Sequence, residues 1–187
     1  MSASIIEYKQ ENAKEVGERL KRGEVGIFPT DTIYGISSIV SKSGEERIFK
    51  AKNRPENKSL IVLMTIEQLL ESDLVVPSAL FTKWPAPFTA ILKSKKDGST
   101  LAVRVPDDCF LLSLMSYSGP IYSTSANLSG SPALNDFDSI YATFKDKVDF
   151  IVNGSSKVGV SSTLIDATKE PYSVLRQGSF MFALHGY

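Results

Sequence analysis

The stretch VGIFPTDTIYG, residues 25–35, joins a short apolar run to a polar loop. Its first four residues have the composition of a short buried strand, and Pro29 ends that run. The loop that follows carries two hydroxyl groups, on Thr30 and Thr32, with a carboxylate between them. Binding residues often lie on loops that a rigid scaffold holds in place. The segment therefore predicts a sheet that delivers polar loops to a pocket.

The same alternation of apolar runs and polar loops continues along the chain. Apolar runs typical of strands also occur at 60–64, 88–92, 101–105, 120–123, 148–152, 163–165 and 174–176. Apolar spacing predicts helices over 12–22, 45–52, 66–70, 109–116 and 137–144. Some consecutive strands are too closely linked to be parallel neighbours. We therefore expect an α/β fold with a twisted sheet of mixed parallel and antiparallel strands, flanking helices and a concave substrate pocket.

Composition limits the classes of protein to which the chain can belong. Its 187 residues suit one domain over 1–187, and 21 basic residues balance 21 acidic residues. Zero net charge argues against non-specific binding of nucleic acid. A single cysteine, Cys109, excludes an internal disulfide, and we expect that side chain to be buried. With no signal peptide and no apolar run long enough for a membrane helix, the expected location is the cytoplasm.

Several common catalytic arrangements are missing from the sequence. It contains neither a GxGxxG nor a GxxxxGK[ST] motif, which excludes the two commonest nucleotide-binding loops. His185 is the only histidine, so a Ser-His-Asp triad or a zinc site is not expected. Catalysis would have to come from positioning, cations and hydroxyl groups.

A basic segment, Lys50–Lys58, places four cations within nine residues. Lys52 and Arg54 would point the same way if this segment is extended. Arginine forks and lysine ammonium groups suit a polyphosphate. The alternative is an ordinary solvated surface run.

Three further clusters combine hydroxyl groups with cations. Arg104 interrupts an apolar strand, so it must be paired or must face a ligand such as a carboxylate. The stretch STSANLSG, 123–130, could cradle a phosphate with its hydroxyls and backbone N–H groups. Ser161–Thr163 and Arg176 offer hydroxyls and one guanidinium. A structural salt bridge and self-bonded turns are the alternatives that the residues leave open.

These clusters, in this order, make the sequence resemble the YrdC/Sua5 family of threonylcarbamoyl-AMP synthases. The matching segments are PTDTIYGI (29–36), KNRPENKSLIV (52–62), WPAPFT (84–89), AVRVP (102–106), STSANLSG (123–130), SSTLID (161–166) and LRQGSF (175–180). They span most of the chain from about Gly23 to Phe180. The resemblance is to the short type, a YrdC-like domain without the C-terminal domain of longer Sua5 members.

The resemblance implies a specific reaction. L-threonine, bicarbonate and ATP would give threonylcarbamoyl-AMP and pyrophosphate, with Mg²⁺ carried on the ATP phosphates and no protein metal site. A separate transferase complex would then pass the threonylcarbamoyl group to adenosine 37 of tRNA. Weak binding of tRNA itself is a further expectation, and binding to a membrane is not expected.

The resemblance also implies roles for individual residues. The threonine-binding positions would be Thr30, Thr32, Arg104 and Ser162. The ATP-binding positions would be Arg54, Lys58, Thr100, Ser125, Asn127 and Arg176. Lys52 and Arg54 would be the catalytic cations. The sequence departs from the family at Leu63, where some relatives carry histidine, at Lys58, where some carry asparagine, at Ala86, usually glycine, and in the short stretch 88–104.

Two other functions remain open at this point. An RNA-binding module could use the same basic segment without catalysis, and its binding would be sensitive to salt. A related enzyme could instead adenylate carbamoyl phosphate, as the YrdC-like domains of hydrogenase-maturation carbamoyltransferases do. Those domains usually sit in much longer chains with zinc fingers and an acylphosphatase domain.

Overall fold

The computed structural model describes residues 2–53, 59–155 and 159–182 of the chain. The strands within these residues are β1 (Ser4–Glu7), β2 (Gly26–Phe28), β3 (Gly35–Ile39), β4 (Ile61–Leu63), β5 (Leu74–Val75), β6 (Phe88–Ser94), β7 (Thr100–Arg104), β8 (Ile121–Ser125), β9 (Phe150–Asn153), β10 (Thr163–Asp166) and β11 (Ser173–Arg176). The α-helices are α1 (Ala13–Lys21), α2 (Lys42–Lys52), α3 (Ile66–Leu70), α4 (Ser78–Phe81), α5 (Cys109–Ser118) and α6 (Phe137–Phe144). A 3₁₀ turn, Gln10–Asn12, precedes α1.

All of these strands belong to one mixed sheet. Their order is β1-β9-β2-β3-β8-β4-β7-β6-β10-β11, and β5 pairs with β6 at the side. Four pairs are parallel: β1 with β9, β2 with β9, β4 with β7 and β6 with β10. The remaining pairs are antiparallel. The predicted α/β fold with a mixed parallel and antiparallel sheet is confirmed.

One face of the sheet is covered by two apolar clusters. In the first, Trp84 and Phe88 pack with strand residues such as Val103. In the second, residues of α2 and α6, among them Ile48 and Phe144, pack on strands from the other half of the sheet. This face carries much of the core.

The opposite face is divided between a third apolar cluster and a cavity. On β8, residues 121, 123 and 125 point to the same side because strand side chains alternate. Ile121 packs beneath α1 and α5, whereas Ser123 and Ser125 line the cavity. The two helices pack closely because residue 17 is glycine, whose added Cβ would lie 2.4 Å from Leu114 O. They therefore cover only part of this face and leave the rest to the cavity.

Three details differ from the sequence predictions. The helix α2 begins at Lys42, where the Ser41 hydroxyl accepts a 3.0 Å hydrogen bond from Gly44 N, and it includes Lys52. The extended geometry considered for Lys52 and Arg54 is therefore wrong for Lys52. The expectation of a buried Cys109 is also wrong, since the thiol is exposed at the first residue of α5. Strands β1, β3 and β5 and helix α4 were not predicted.

The lengths and compositions of the helices bear on whether the chain could span a membrane. Within 2–53, 59–155 and 159–182, no helix has both the length and the apolar character needed to cross a bilayer.

Candidate active site

A cavity of about 390 Å³ lies on the divided face of the sheet. Its walls come from sequence segments that are far apart in the chain. The lining residues are Thr30, Thr32, Ile33, Tyr34, Gly35, Ser59, Leu60, Ile61, Ile91, Ala102, Arg104, Ser123, Thr124, Ser125, Ser161, Ser162, Leu164 and Arg176. Six of them were predicted as site residues: Thr30, Thr32, Arg104, Ser125, Ser162 and Arg176.

Arg104 is the buried cation of this cavity, with only 3% of its surface exposed. Its Nη1 donates to Thr32 Oγ1 at 2.9 Å, and its Nη2 lies 3.2 Å from Asp31 Oδ1. The second contact is an ion pair without hydrogen-bond alignment, and Arg104 Nε has no hydrogen-bond partner among the described residues. A guanidinium that borders a cavity can hold an anionic ligand there. The structural salt bridge is thus present, and the same guanidinium lines the cavity.

Burial and neighbouring charges act on the two arginines of the cavity. Burial lowers the pKa of Arg104, Asp31 opposes that shift, and the positive charge of Arg176 lowers the pKa further. Burial also lowers the pKa of Arg176. An arginine nonetheless stays protonated at neutral pH. Two neighbouring positive charges make the cavity attractive to an anion.

The loop from Thr30 to Tyr34 is fixed by its own hydrogen bonds. Thr30 Oγ1 donates to Ile33 O at 2.7 Å and accepts from Thr32 N at 3.1 Å. Asp31 Oδ2 accepts from Asp107 N at 3.2 Å, which ties the loop to the segment after β7. These bonds place Thr32 Oγ1 beside the guanidinium of Arg104.

Another wall of the cavity is built from Ser162 and Arg176. Arg176 Nε and Nη2 donate to Ser162 O at 3.1 and 2.9 Å, and Nη2 also lies 3.4 Å from Ser162 Oγ. Residue 178 must be glycine for this approach, because an added Cβ would lie 2.2 Å from Ser161 O. Strand β11 therefore places the guanidinium of Arg176 against Ser162, which is a predicted site residue.

The side chain of Lys52 holds the loop after β8 in place through hydrogen bonds. Its Nζ donates to Ser125 O and, at 2.9 Å, to Asn127 Oδ1, and only 2% of its surface is exposed. Ser125 Oγ donates to the same Asn127 Oδ1 at 2.5 Å. Lys52 and Asn127 do not line the cavity in this structure. They hold Ser125, which does.

One other predicted site residue, Thr100, does not line the cavity. Thr100 begins β7 and is exposed, two residues before the lining residue Ala102 and on the same face of the strand. Arg54 and Lys58 lie outside the described residues. Their predicted roles stay predictions.

Sequence reasoning missed two polar side chains. Asp31 pairs with Arg104, and its place between two predicted site hydroxyls was the available signal. Thr89 Oγ1 lies 2.8 Å from Ser162 Oγ and is fully buried. In the sequence, Thr89 stands out only as the last residue of the WPAPFT segment.

The described residues offer no cluster of three or more His, Cys, Asp or Glu side chains that could hold a metal ion. The donors around the cavity are hydroxyls and guanidinium groups. Such a donor set suits phosphate oxygens and carboxylates, so a divalent cation would need most of its ligands from a bound polyphosphate and water.

Known proteins resemble the chain in sequence and in fold. A family model for Sua5, YciO and YrdC proteins, described as "Telomere recombination", matches residues 18–178. A threonylcarbamoyl-AMP synthase of Pyrococcus abyssi is 33% identical over 175 residues, which cover 85% of this chain and 52% of that protein. One from Vibrio vulnificus is 31% identical over 187 residues, which cover 89% of this chain and 98% of that protein.

The fold comparison agrees with the sequence comparison. The structure of P. abyssi Sua5 in complex with L-threonine superposes with a TM-score of 0.84 at 28% identity, over 95% of this chain and 58% of that chain. The chain thus spans about half the length of its Pyrococcus relative. The matched segment includes every described residue of the cavity. The chain therefore belongs to the Sua5/YciO/YrdC family.

Proposed function

We propose that the chain condenses L-threonine, bicarbonate and ATP into threonylcarbamoyl-AMP and pyrophosphate, as a nucleotidyltransferase. One observation supports this most strongly. A single cavity joins a fully buried guanidinium, a second guanidinium and the hydroxyls of four separate sequence motifs. Such a cavity can hold a carboxylate and a phosphate at once. Relatives that align over 85% and 89% of the chain are named threonylcarbamoyl-AMP synthases.

The amino-acid end of the cavity would lie at Arg104. The guanidinium would bind the carboxylate, with Thr32 Oγ1 and Ser162 Oγ beside it. A solved structure of the Pyrococcus relative contains L-threonine, which supports that choice of amino acid. Thr30 would act mainly through the loop that it closes.

The nucleotide end would lie between Arg176 and the loop that begins at Ser125. Arg176 would offset charge on the phosphates, and the loop that begins at Ser125 would line the site that they occupy. Arg54, Lys58 and Thr100 are proposed to complete this end. Mg²⁺ would bind the phosphate oxygens of ATP and neutralise part of their charge.

The proposed chemistry needs no strong base in the protein. The threonine amine takes up the carbon of bicarbonate, water leaves, and a carbamate forms. A carbamate oxygen then attacks the α-phosphorus of ATP, the bond from that phosphorus to the bridging oxygen breaks, and pyrophosphate departs with the electron pair. The protein would contribute by holding the two reactants together and by stabilising the charge that moves to pyrophosphate. The product would serve a tRNA-modifying transferase in the cytoplasm.

The RNA-binding alternative has less support. It depended on the basic segment around Lys52, and the ammonium group of Lys52 is buried and bonded to Ser125 O and Asn127 Oδ1. That cation cannot contact an RNA backbone without breaking these bonds.

The test is pyrophosphate release by the purified protein with Mg²⁺ and ATP. Release should require both L-threonine and bicarbonate, and mass spectrometry of the product should give threonylcarbamoyl-AMP. Omission of either co-substrate serves as the matched control. The proposal would be wrong if pyrophosphate were released equally well without threonine. It would also be wrong if the protein bound tRNA in a salt-sensitive way and released no pyrophosphate.

A further inference from the structure

The segment WPAPFT, 84–89, has a role that neither substrate assignment uses. Its aromatic residues belong to the covered face, where the rings of Trp84 and Phe88 stack at 4.8 Å and Trp84 Nε1 donates to Phe88 O at 3.3 Å. Phe88 is aligned with Thr163 of the neighbouring parallel strand, and Thr89 with Leu164. Because side chains alternate, Thr89 points to the cavity side, where Leu164 and Ser162 also point. The apolar half of the motif thus fixes the position of its one hydroxyl.

The hydroxyl of Thr89 must donate to Ser162. Thr89 is completely buried, and in the part of the chain that the structure describes its Oγ1 has one hydrogen-bond partner, Ser162 Oγ at 2.8 Å. A buried hydroxyl proton with no acceptor is costly. The proton of Thr89 is satisfied only if Ser162 Oγ accepts it.

Arg176 occupies the other lone pair of the same oxygen. Its Nη2 lies 3.4 Å from Ser162 Oγ, and an arginine can only donate. A serine hydroxyl has two acceptor sites and one proton. With both acceptor sites engaged, Ser162 has its own proton left, and Ser162 lines the cavity. The hydroxyl is therefore a donor toward whatever occupies the cavity.

We propose that Thr89 is a positioning residue that makes Ser162 an obligate hydrogen-bond donor to a carboxylate oxygen of the amino-acid substrate. Ser162 then cannot accept a hydrogen bond from the substrate's amine, which is left free to react with bicarbonate. This inference rests on the proposed function, since it assigns a substrate group to the proposed amino-acid end of the cavity.

The experiment measures KM for L-threonine and for ATP by pyrophosphate release, in variants that differ by one hydroxyl. Thr89→Val removes the donor at nearly constant volume and should raise KM for threonine about three- to tenfold, the effect of one hydrogen bond. KM for ATP should change less than about twofold. Thr89→Ser restores the donor and should recover the wild-type KM. If Thr89→Val does not fold, Thr89→Ala carries the same expectation.

A double-variant cycle shows whether Thr89 acts through Ser162. In a Ser162→Ala background, Thr89→Val should add less than about a twofold change to KM for threonine. Thr143→Val is the matched control, because it removes a hydroxyl bonded to Ser139 O in α6, away from the cavity lining.

Three results would overturn the inference. The first is an unchanged threonine KM in Thr89→Val, and the second is an equal rise in both KM values together with a lower Tm. The third is a Thr89→Val effect that persists in full without the Ser162 hydroxyl. A wild-type protein that needs no threonine for pyrophosphate release would instead overturn the proposed function, and this role of Thr89 with it.

Discussion

At the scale of single residues, the cavity depends on one buried ion pair. Arg104 and Asp31 are both almost inaccessible, with side-chain exposures of 3% and 2%, and their charged atoms lie 3.2 Å apart. Each charge is tolerated there only because the other is present. The pair also fixes the direction of the guanidinium toward Thr32 Oγ1.

Asp31→Asn should destabilise the protein by about 3 kcal/mol or more, because it leaves the Arg104 charge buried without a counter-charge. The free energy of unfolding, measured with urea, checks this expectation. Asp146→Asn is the control, since that carboxylate is exposed in the turn after α6 and should change stability by less than about 0.5 kcal/mol. Equal stability of the two variants would mean that the ion pair contributes nothing.

Individual site residues were predictable where a polar side chain interrupts or borders an apolar run. Arg104 and Ser162 were found in this way, and both line the cavity. Thr89 was not, because it looks like an ordinary strand threonine until its register with β10 is known. Thr100 begins a strand, and Asn127 belongs to a motif, that reaches the cavity, yet neither side chain is part of the cavity lining. Sequence shows which segments meet, and the register decides which side chains face inward.

At the scale of elements, the end of α2 and the loop after β8 act as one unit. Lys52 Nζ bonds Ser125 O and Asn127 Oδ1, and Ser129 N donates to Lys52 O at 2.9 Å. The helix thereby sets the conformation of a loop that it does not adjoin in sequence. Any ligand bound by Ser125 depends on this connection.

Lys52→Met should loosen that loop while leaving the helix in place. The loss of charged hydrogen bonds predicts a roughly tenfold higher KM for ATP and faster amide hydrogen exchange at Ser129. KM for threonine should change less than about threefold. Lys50→Met, an exposed lysine of the same helix, is the control. Slow exchange at Ser129 in the Lys52 variant would contradict the proposed link.

Regular elements were predictable and irregular ones were not. The helix predicted over 137–144 is observed as α6. Its start is well defined because Asp136 Oδ1 caps the helix by accepting a 2.8 Å hydrogen bond from Ser139 N. Strand β3 was missed because Ser37 and Ser38, two polar residues, are fully buried in it. Strand β5 and helix α4 are too short to show a period.

At the scale of the whole molecule, one continuous sheet separates the apolar clusters on its two faces. Each strand can contribute to clusters on both faces: in β4, Val62 belongs to the first cluster and Leu63 to the third. A cluster cannot be lost without disturbing strands that support another. The mixed strand order itself was beyond sequence reasoning, because nothing in the local pattern of β1 indicates a partner as distant as β9.

We therefore expect cooperative unfolding. Trp84, the only tryptophan, reports on the first cluster, whereas far-UV circular dichroism reports on all helices and strands. Urea transitions followed by the two signals should share one midpoint, as two-state unfolding requires. A fluorescence midpoint clearly below the dichroism midpoint would show that the Trp84 region unfolds independently of the α2–α6 side.

The strand order also has a consequence for synthesis on the ribosome. Strand β1 pairs with β9, so Ser4 cannot form its strand pairing until Phe150 has been synthesised. The loop at Thr30 and Arg176, which line one cavity, are separated by the same number of residues, so the delay is equally long. At translation rates of about 5–20 residues per second, each wait lasts roughly 7 to 30 seconds. During that time the nascent chain exposes an unpaired strand edge, a surface that chaperones shield in the cell. The substrate cavity is thus assembled late, once the second guanidinium has left the ribosome.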